Sequence, residues 1–215
     1  MPLTLVAEFH AGAGKRAIFR VPTRPGGHAK VDAILDAVAA IIAERGLETL
    51  TMHVVARRAS TSIDSLYHFF VDEDDVLRAL AERHQLRIRA INSDLATNSR
   101  EIWCALPVVN AFEWLISPFT DYVRKHPDIF PLMHGKRSPV IEADFIDGIG
   151  HLLDARLPEL LPATLERHAA MLHAIAVGTM YAAFMFEPDQ LGFYMKEVPR
   201  VMAAYLASIE REVRG

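Results

Sequence analysis

Two short helical patterns joined by a tight turn lie between Thr51 and Phe70, and they constrain the fold more than any other part of the chain. Thr51 is a favourable N-cap for the first pattern, because its hydroxyl can accept a hydrogen bond from an unpaired N–H of the following turn. The first pattern has one apolar stripe that predicts burial, formed by Met52, Val55, Ala56 and Ala59. Two of these residues are alanines, which allows a second helix to cross closely.

The second pattern is shorter and more polar. Ser62 is a good N-cap for a helix over residues 63–69, and Leu66 and Phe70, spaced i and i+4, would pack that helix down. The side chains left facing outward or sideways are Thr61, Ile63, Asp64, Ser65, Tyr67 and His68. An exposed tyrosine and histidine are poor core material but suit contacts to phosphates and base edges. The stretch therefore predicts a helix-turn-helix that reads the DNA major groove.

An amphipathic helix precedes this pair. Its apolar residues recur at the i, i+3, i+4, i+7 spacing, and Gly46 is placed to end it, so we predict a helix over residues 29–45. With this helix included, residues 29–80 resemble the N-terminal domain of the tetracycline-repressor (TetR) family of transcriptional regulators. The resemblance is carried by ILDA at 34–37, RG at 45–46, Thr51, VA at 55–56 and LYHFF at 66–70.

The resemblance implies an all-α fold with two domains. Residues 29–80 would form a three-helix helix-turn-helix DNA-binding domain, and residues 81–215 a larger helical domain for effector binding and dimerisation. The implied function is a ligand-responsive regulator, a repressor rather than an enzyme, that binds a pseudo-palindromic operator as a homodimer and is released by a small, mostly apolar effector. The residues expected at the DNA are Lys30, Thr51, His53, Thr61, Ser62, Ile63, Ser65, Tyr67 and His68.

The chain departs from the family pattern at contact positions. Ile63 and Asp64 stand where a lysine or small residue followed by glycine is usual, and Glu73 stands where a phosphate-binding lysine is usual. Residues 30–85 hold six Lys or Arg against ten Asp or Glu, a net charge of −4. DNA affinity depends largely on phosphate neutralisation, so two alternatives stay open. Either the acidic run at 72–75 caps the next helix away from DNA, or DNA binding is weakened or lost.

In the first alternative the missing positive charge comes from the N-terminus. Residues 1–28 are rich in Gly and Pro and are predicted to form a flexible arm. Residues 1–29 hold four Lys or Arg against one Glu, a net charge of +3. The expectation is salt-sensitive DNA binding that weakens when this arm is removed.

Residues 81–215 read as helices divided by prolines. Two apolar helices, over 162–186 and 189–211, would by resemblance pair with their copies in a second subunit. Prolines and aromatic residues in the preceding helices favour an effector cavity, although a core function for the same side chains is the commoner alternative. The candidate lining residues are Trp103, Asn110, Trp114, Met133, His134, Phe145, His173, Val177, Met180, Tyr181 and Phe184. His134 or His173 would meet a polar or anionic group of the ligand.

Other chemistry is sparse in the sequence. No catalytic constellation, cofactor motif or signal peptide is visible, and the acidic stripe with His151 is more typical of a solvated helix face than of a metal site. The single cysteine, Cys104, rules out an intrachain disulfide, fits a reducing cytoplasm, and is expected to be buried beside Trp103. Residues 169–186 lack charged side chains, but they suit a subunit interface and a ligand cavity better than a membrane.

Overall fold

The fold is built entirely of helices in the part of the chain that the computed structural model describes, which is residues 25–134 and 145–214. The ten α-helices of these ranges are α1 (Pro25–Arg45), α2 (Met52–Arg58), α3 (Ile63–Phe69), α4 (Glu73–Ala96), α5 (Arg100–Ala105), α6 (Val108–Lys125), α7 (Ile129–His134), α8 (Phe145–Arg156), α9 (Pro162–Phe186) and α10 (Leu191–Arg214). Short 3-10 turns at Leu47–Thr49 and Pro188–Gln190 precede α2 and α10. The all-α prediction is confirmed.

Most predicted helix boundaries agree with the structure, and the differences have local causes. α1 begins at Pro25 rather than Ala29, so the last residues assigned to the arm are helical. Proline at the first position of a helix needs no N–H partner, which makes it a favourable start. Gly46 ends α1 with φ 79° and ψ 165°, a positive-φ conformation but not the expected left-handed helical cap. The predicted helix start at Ser138 lies outside the described residues.

The two internal prolines of the middle region behave differently. Pro107 separates α5 from α6, as predicted, whereas Pro118 is accommodated inside α6. Pro118 has no N–H to donate to the carbonyl of Trp114 four residues earlier. The hydroxyl of Ser117 donates to that carbonyl instead, at 3.3 Å, so the acceptor keeps a partner.

The buried apolar residues form two hydrophobic cores. One joins α1, α2, α3 and the first turns of α4, with Leu132 of α7 as its distant member. The other joins the rest of α4 with α5 to α10. α4 therefore belongs to both cores and is the rigid connection between the helix-turn-helix and the larger helical body.

α9 is long and apolar enough to cross a membrane by length and composition, yet only 28% of its most apolar window is buried. It packs against α8 and α10 on one side. Its outward side carries small and apolar residues, among which Met171 and Met185 are about half exposed. One such helix is weak evidence for a membrane span, and an exposed apolar face also fits a protein interface.

Candidate functional site

The helix-turn-helix is held together by the two predicted N-caps. The Thr51 hydroxyl accepts a hydrogen bond from the N–H of Val54 at 3.3 Å, and the Ser62 hydroxyl accepts one from the N–H of Ser65 at 3.2 Å. A hydroxyl that accepts in this way still has its own proton to donate. Both caps are exposed, so each can donate to a phosphate oxygen.

α3 separates its buried and exposed sides as the sequence predicted. Leu66 and Phe70 are fully buried and fix the helix against the N-terminal core. On the opposite side Tyr67 is 50% exposed and His68 is exposed, with the His68 ring packed edge-on to Phe69 at a centroid distance of 5.1 Å. A large aromatic side chain held this far into solvent on a rigid short helix is available for a partner.

The other predicted DNA-contact residues are less uniform. Lys30 and His53 are exposed, and Ile63 and Ser65 are half-buried. Thr61 is also half-buried, and its hydroxyl is buried without a hydrogen-bond partner among the described residues. The N–H of Thr61 donates to the carbonyl of Ala56 at 3.0 Å, which closes the turn. Thr61 therefore contributes to the turn, and its hydroxyl is the least accessible of the set.

The acidic run at the start of α4 is part of the scaffold. The Asp72 carboxylate caps α4 by accepting from the N–H of Asp75 at 2.8 Å. The Asp75 side chain is fully buried, where it accepts from the N–H of Val71 at 3.1 Å and from Arg78 at 3.0 Å. Carboxylates in a first turn also complement the helix dipole. The capping function predicted for this run is confirmed.

Three arginines that the sequence prediction omitted lie at the ends of α1 and α2. Arg57 and Arg58 end α2, and Arg45 ends α1; together they line a surface pocket of 330 Å³. Arg58 is engaged by Glu44 at 2.5 Å. All three arginines lie in the last turn of a helix, and the sequence alone shows this. The prediction missed them because it named only residues that matched the family pattern.

The residues predicted to bind an effector are dispersed. Trp103 and Met180 are buried in the C-terminal core, His173, Val177 and Tyr181 are half-buried, and Asn110 is exposed. The half-buried Met133 and Phe184 pack against the same core, with Phe184 stacked on Phe130 at 5.0 Å. The side chains of His134 and Phe145 lie outside the described residues.

A groove lies elsewhere, between α1, α4 and α6. It has a volume of about 980 Å³ and is lined by Asp36, Ala39, Ala40, Ala43, Arg83, Arg87, Ile91, Asp94, Leu95, Asn98, Trp114, Pro118, Asp121, Tyr122, Lys125, His126, Pro127 and Asp128. Among the described residues, Trp114 is the one predicted ligand residue in this lining. Its ring is 38% exposed and lies 5.4 Å from the ring of Trp103.

A buried polar network forms one end of this groove. His84 is fully buried on α4; its Nε2 lies 2.8 Å from a carboxylate oxygen of Asp128 and its Nδ1 lies 2.6 Å from the hydroxyl of Tyr122. The ring of His126 packs 4.3 Å from the ring of Tyr122. The network joins α4, the C-terminal half of α6 and the turn before α7, so it fixes the corner at which the groove ends.

Burial shifts the ionisation of these groups. Desolvation, aided by the Asp128 charge, raises the pKa of Tyr122 to about 12, against the opposing charges of Arg83 and Arg87. Desolvation would raise the pKa of Asp128, but its hydrogen bond and charge interaction with His84 outweigh that and lower it. Desolvation and the neighbouring His84 lower the pKa of His126. At neutral pH the corner therefore holds a protonated phenol and an ionised carboxylate.

Two family models match the chain. Residues 34–80 match the model for bacterial regulatory proteins of the tetR family, and residues 107–206 match the tetracyclin repressor-like C-terminal domain. The chain belongs to the TetR family of transcriptional regulators. The two matched segments contain the helix-turn-helix, α9 and α10 up to residue 206, and they leave the first 33 residues outside either model. No curated protein sequence matches the chain significantly.

Solved structures share the fold at low sequence identity. A TetR-family transcriptional regulator from Streptomyces coelicolor is 24% identical, with a TM-score of 0.55 over 83% of this chain and 98% of its own. SmeT, the repressor of a multidrug efflux pump of Stenotrophomonas maltophilia, is 20% identical, with a TM-score of 0.59 over 82% of this chain and 88% of its own. FadR from Bacillus subtilis, solved with stearoyl-CoA, is 15% identical, with a TM-score of 0.57 over 80% and 97%.

Proposed function

We propose that this TetR-family protein is a ligand-responsive repressor that binds a pseudo-palindromic operator as a homodimer and is released by a small effector. The observation that carries the proposal is the α2–α3 pair. Its caps and buried residues are intact, and Tyr67 and His68 project from α3 into solvent. The family match makes transcriptional regulation the general function, and the exposed face of α3 supplies the surface for DNA.

The proposed DNA surface consists of α3, the exposed N-caps and the nearby cations. Tyr67, His68 and Ser65 would approach base edges and backbone from α3, while Thr51 and Ser62 donate hydroxyl protons to phosphates. Lys30 and His53 extend the surface along α1 and α2, and Ile63 and Thr61 are its least exposed members. The basic arm remains the proposed source of the positive charge that residues 30–85 lack.

The homodimer is proposed to form through α9 and α10, within a C-terminal domain that begins near residue 81. The outward face of α9 repeats small or apolar residues one turn apart, at Met171, Ala174, Gly178, Ala182 and Met185, all of which are exposed. A stripe of this kind on a water-soluble helix costs hydration free energy unless a partner covers it. A two-fold pair of these helices would also place two recognition helices on one face of DNA. A cytoplasmic location follows from this function.

The proposed effector is small and mostly apolar. SmeT has been solved with triclosan and FadR with stearoyl-CoA, so structural relatives of this chain bind apolar or acyl ligands. Within the C-terminal domain, the predicted lining residues remain candidates. His134 or His173 would meet a polar or anionic group of the ligand, and of these two His173 is half-buried on α9. The described residues offer no catalytic constellation that would favour an enzyme.

The alternative is a TetR-fold protein with weakened or lost DNA binding, acting through protein or ligand contacts. Its specific support is Glu73, which stands near the N-terminus of α2, and Asp64, exposed in the first turn of α3. Both place negative charge beside the surface proposed for DNA, where phosphates would be repelled.

A mobility-shift titration with the DNA upstream of the protein's own gene separates the two functions. The repressor predicts a salt-sensitive complex that Tyr67→Ala weakens at least about fivefold, because loss of one good base contact typically costs about 1–3 kcal/mol. Leu86→Ala is the matched control, because Leu86 is an equally exposed large side chain on α4, away from α3. Removal of residues 1–24, which spares α1, should lower both the affinity and the salt slope. A complex absent at low salt would favour the alternative.

A further inference from the structure

We propose that the groove between α1, α4 and α6 binds a small organic anion with an apolar body, and that the bound anion sets the angle between α1 and α6. This proposal rests on the proposed function, because it names the chemistry and the place of an effector of the same regulator. The site is distinct from the residues of the C-terminal core that the sequence predicted, with Trp114 common to both.

The groove exists because three helices present one face each to a common space. α4 forms the floor and packs against both α1 and α6, and α1 and α6 form the two walls. The α1 wall is low, because Ala39, Ala40 and Ala43 carry no long side chain. The α6 wall carries Trp114 and Pro118, which are larger and partly exposed.

The cations at one end of the groove are only partly paired with acidic residues. At this end Asp36 is paired with Arg83 at 2.6 Å, Asp121 with Arg124 at 2.7 Å, and the buried, ionised Asp128 with His84 at 2.8 Å. Arg87 and Lys125 are exposed lining residues with no ion pair among the described residues.

Both unpaired cations lie towards Tyr122. The Arg87 charge acts on the Tyr122 phenol, and Lys125 follows Tyr122 by three residues on the same helix, which is about one turn. An anion entering this end meets two cations that the protein has not already neutralised.

The opposite end of the groove is apolar. Ile91 and Leu95 form its floor, and Trp114 and Pro118 form its wall. Arg87 and Leu95 are eight residues apart on α4, so about 12 Å separates the cationic end from the apolar end. The one carboxylate in this half without an ion pair among the described residues is Asp94, on the rim of the exposed side of α4. A ligand matched to this surface carries its negative group at one end and an aliphatic or aromatic body of about that length.

A ligand in this groove would touch both cores of the protein. α1 belongs to the core that positions α2 and α3, and α6 belongs to the larger C-terminal core. At the cationic end α4 is tied to α1 by the Arg83–Asp36 ion pair and to the turn before α7 by the buried His84–Asp128 contact. The apolar part of a ligand inserted between α1 and α6 would therefore move these helices apart at the apolar end while the cationic end stays fixed. A small displacement of α1 relative to α6 then changes the direction of α3. Such a ligand shifts DNA affinity only through its preference for one inter-wall angle.

The test uses the full-length protein and two probes that share a chain and differ in headgroup, decanoate and decan-1-ol. Binding is measured by isothermal titration calorimetry and by tryptophan emission, to which Trp114 and its neighbour Trp103 both contribute. Decanoate should bind at least about tenfold more tightly than the alcohol, because a charge-assisted hydrogen bond is stronger than a neutral one. Arg87→Gln with Lys125→Gln should abolish that preference, and Ala40→Phe, which fills the groove, should weaken both probes. Arg89→Gln, an exposed arginine on α4 outside the lining, should change neither.

Each result counts for or against the site. Equal binding of the two probes, or a preference for decanoate that survives in the double variant, overturns it. Mobility shifts with upstream DNA are run alongside, with and without decanoate. DNA binding without decanoate binding removes this inference and leaves the repressor standing, whereas decanoate binding without DNA binding removes the repressor. If decanoate binds but leaves DNA affinity unchanged, the effect on the angle between α1 and α6 is overturned.

Discussion

The carboxylate of Glu73 accepts a hydrogen bond from the backbone N–H of Met52, with an N···O distance of 3.3 Å. Met52 is the first residue of α2, and Glu73 is the first residue of α4. The contact ties the start of the helix-turn-helix to the helix that enters the C-terminal core. It also places negative charge at the position where the resemblance leads us to expect a phosphate-binding lysine.

Replacing Glu73 should therefore strengthen DNA binding. Glu73→Lys removes a charge that repels phosphate and adds one that binds it, and the salt slope of the complex should rise by about one. Glu73→Gln keeps a side-chain oxygen that can accept from the N–H of Met52 and removes only the charge. It should therefore give a smaller gain in DNA affinity and leave the salt slope of the complex unchanged. Both are measured by mobility shift at several salt concentrations. Unchanged affinity in both variants would show that this corner of α4 does not face DNA.

The hydroxyl of the half-buried Tyr122 should contribute measurably to stability. Tyr122→Phe leaves Nδ1 of the fully buried His84 without its partner at 2.6 Å, and an unsatisfied buried group typically costs about 1–3 kcal/mol. Tyr194→Phe is the matched control, because the Tyr194 hydroxyl donates to Glu187 at 3.0 Å on the surface. Urea unfolding should show a clear loss of free energy for the first variant and at most about 0.5 kcal/mol for the second. Equal losses in the two variants would contradict the importance assigned to the network.

The exposed stripe of α9 should control the oligomeric state. Ala174→Glu puts a charge in the middle of the proposed interface, and a buried unpaired charge is strongly unfavourable. In an isolated subunit the same position is exposed, so the fold should tolerate the change. Ala96→Glu, at an exposed alanine near the end of α4, is the control. Light scattering after gel filtration should report half the mass for Ala174→Glu alone; an unchanged mass would place the dimer contacts elsewhere.

The sequence predicted the scaffold of this protein well because its signals are local. Caps such as Thr51 and Ser62 act within three residues, and the burial of Leu66 and Phe70 follows from helical spacing. The groove has no such signal. Its floor and two walls are helix faces with charged or small side chains, and in the sequence each face looks like an ordinary solvent-exposed one. The space between them depends on the position of α1 relative to α6, which no local pattern encodes.

Side-chain contacts between residues far apart in the chain could not be predicted from the sequence either. The buried His84 lies in a strongly charged segment of α4, and its partner Asp128 is 44 residues away. Cys104 shows that a local signal can also mislead. Its apolar neighbour Trp103 suggested a buried thiol, but the prediction is wrong: Cys104 is exposed, with its Sγ 3.3 Å from the carbonyl oxygen of Ala155. Trp103 turns inward on the short helix α5, which leaves the next side chain on the outside.

His173 should make the protein less stable in mild acid. Burial between apolar helices lowers the pKa of His173 below the ordinary value of 6.5. The unfolded chain therefore takes up a proton at a higher pH than the folded protein does, and stability is lost as the pH falls through 6.5 towards the folded pKa. His173→Gln keeps a polar side chain that does not titrate, so its melting temperature should fall less than that of the wild type between pH 7 and pH 5. His151→Gln, at an exposed histidine of α8, should follow the wild type. Parallel curves for all three proteins would show that protonation of His173 has no part in acid sensitivity.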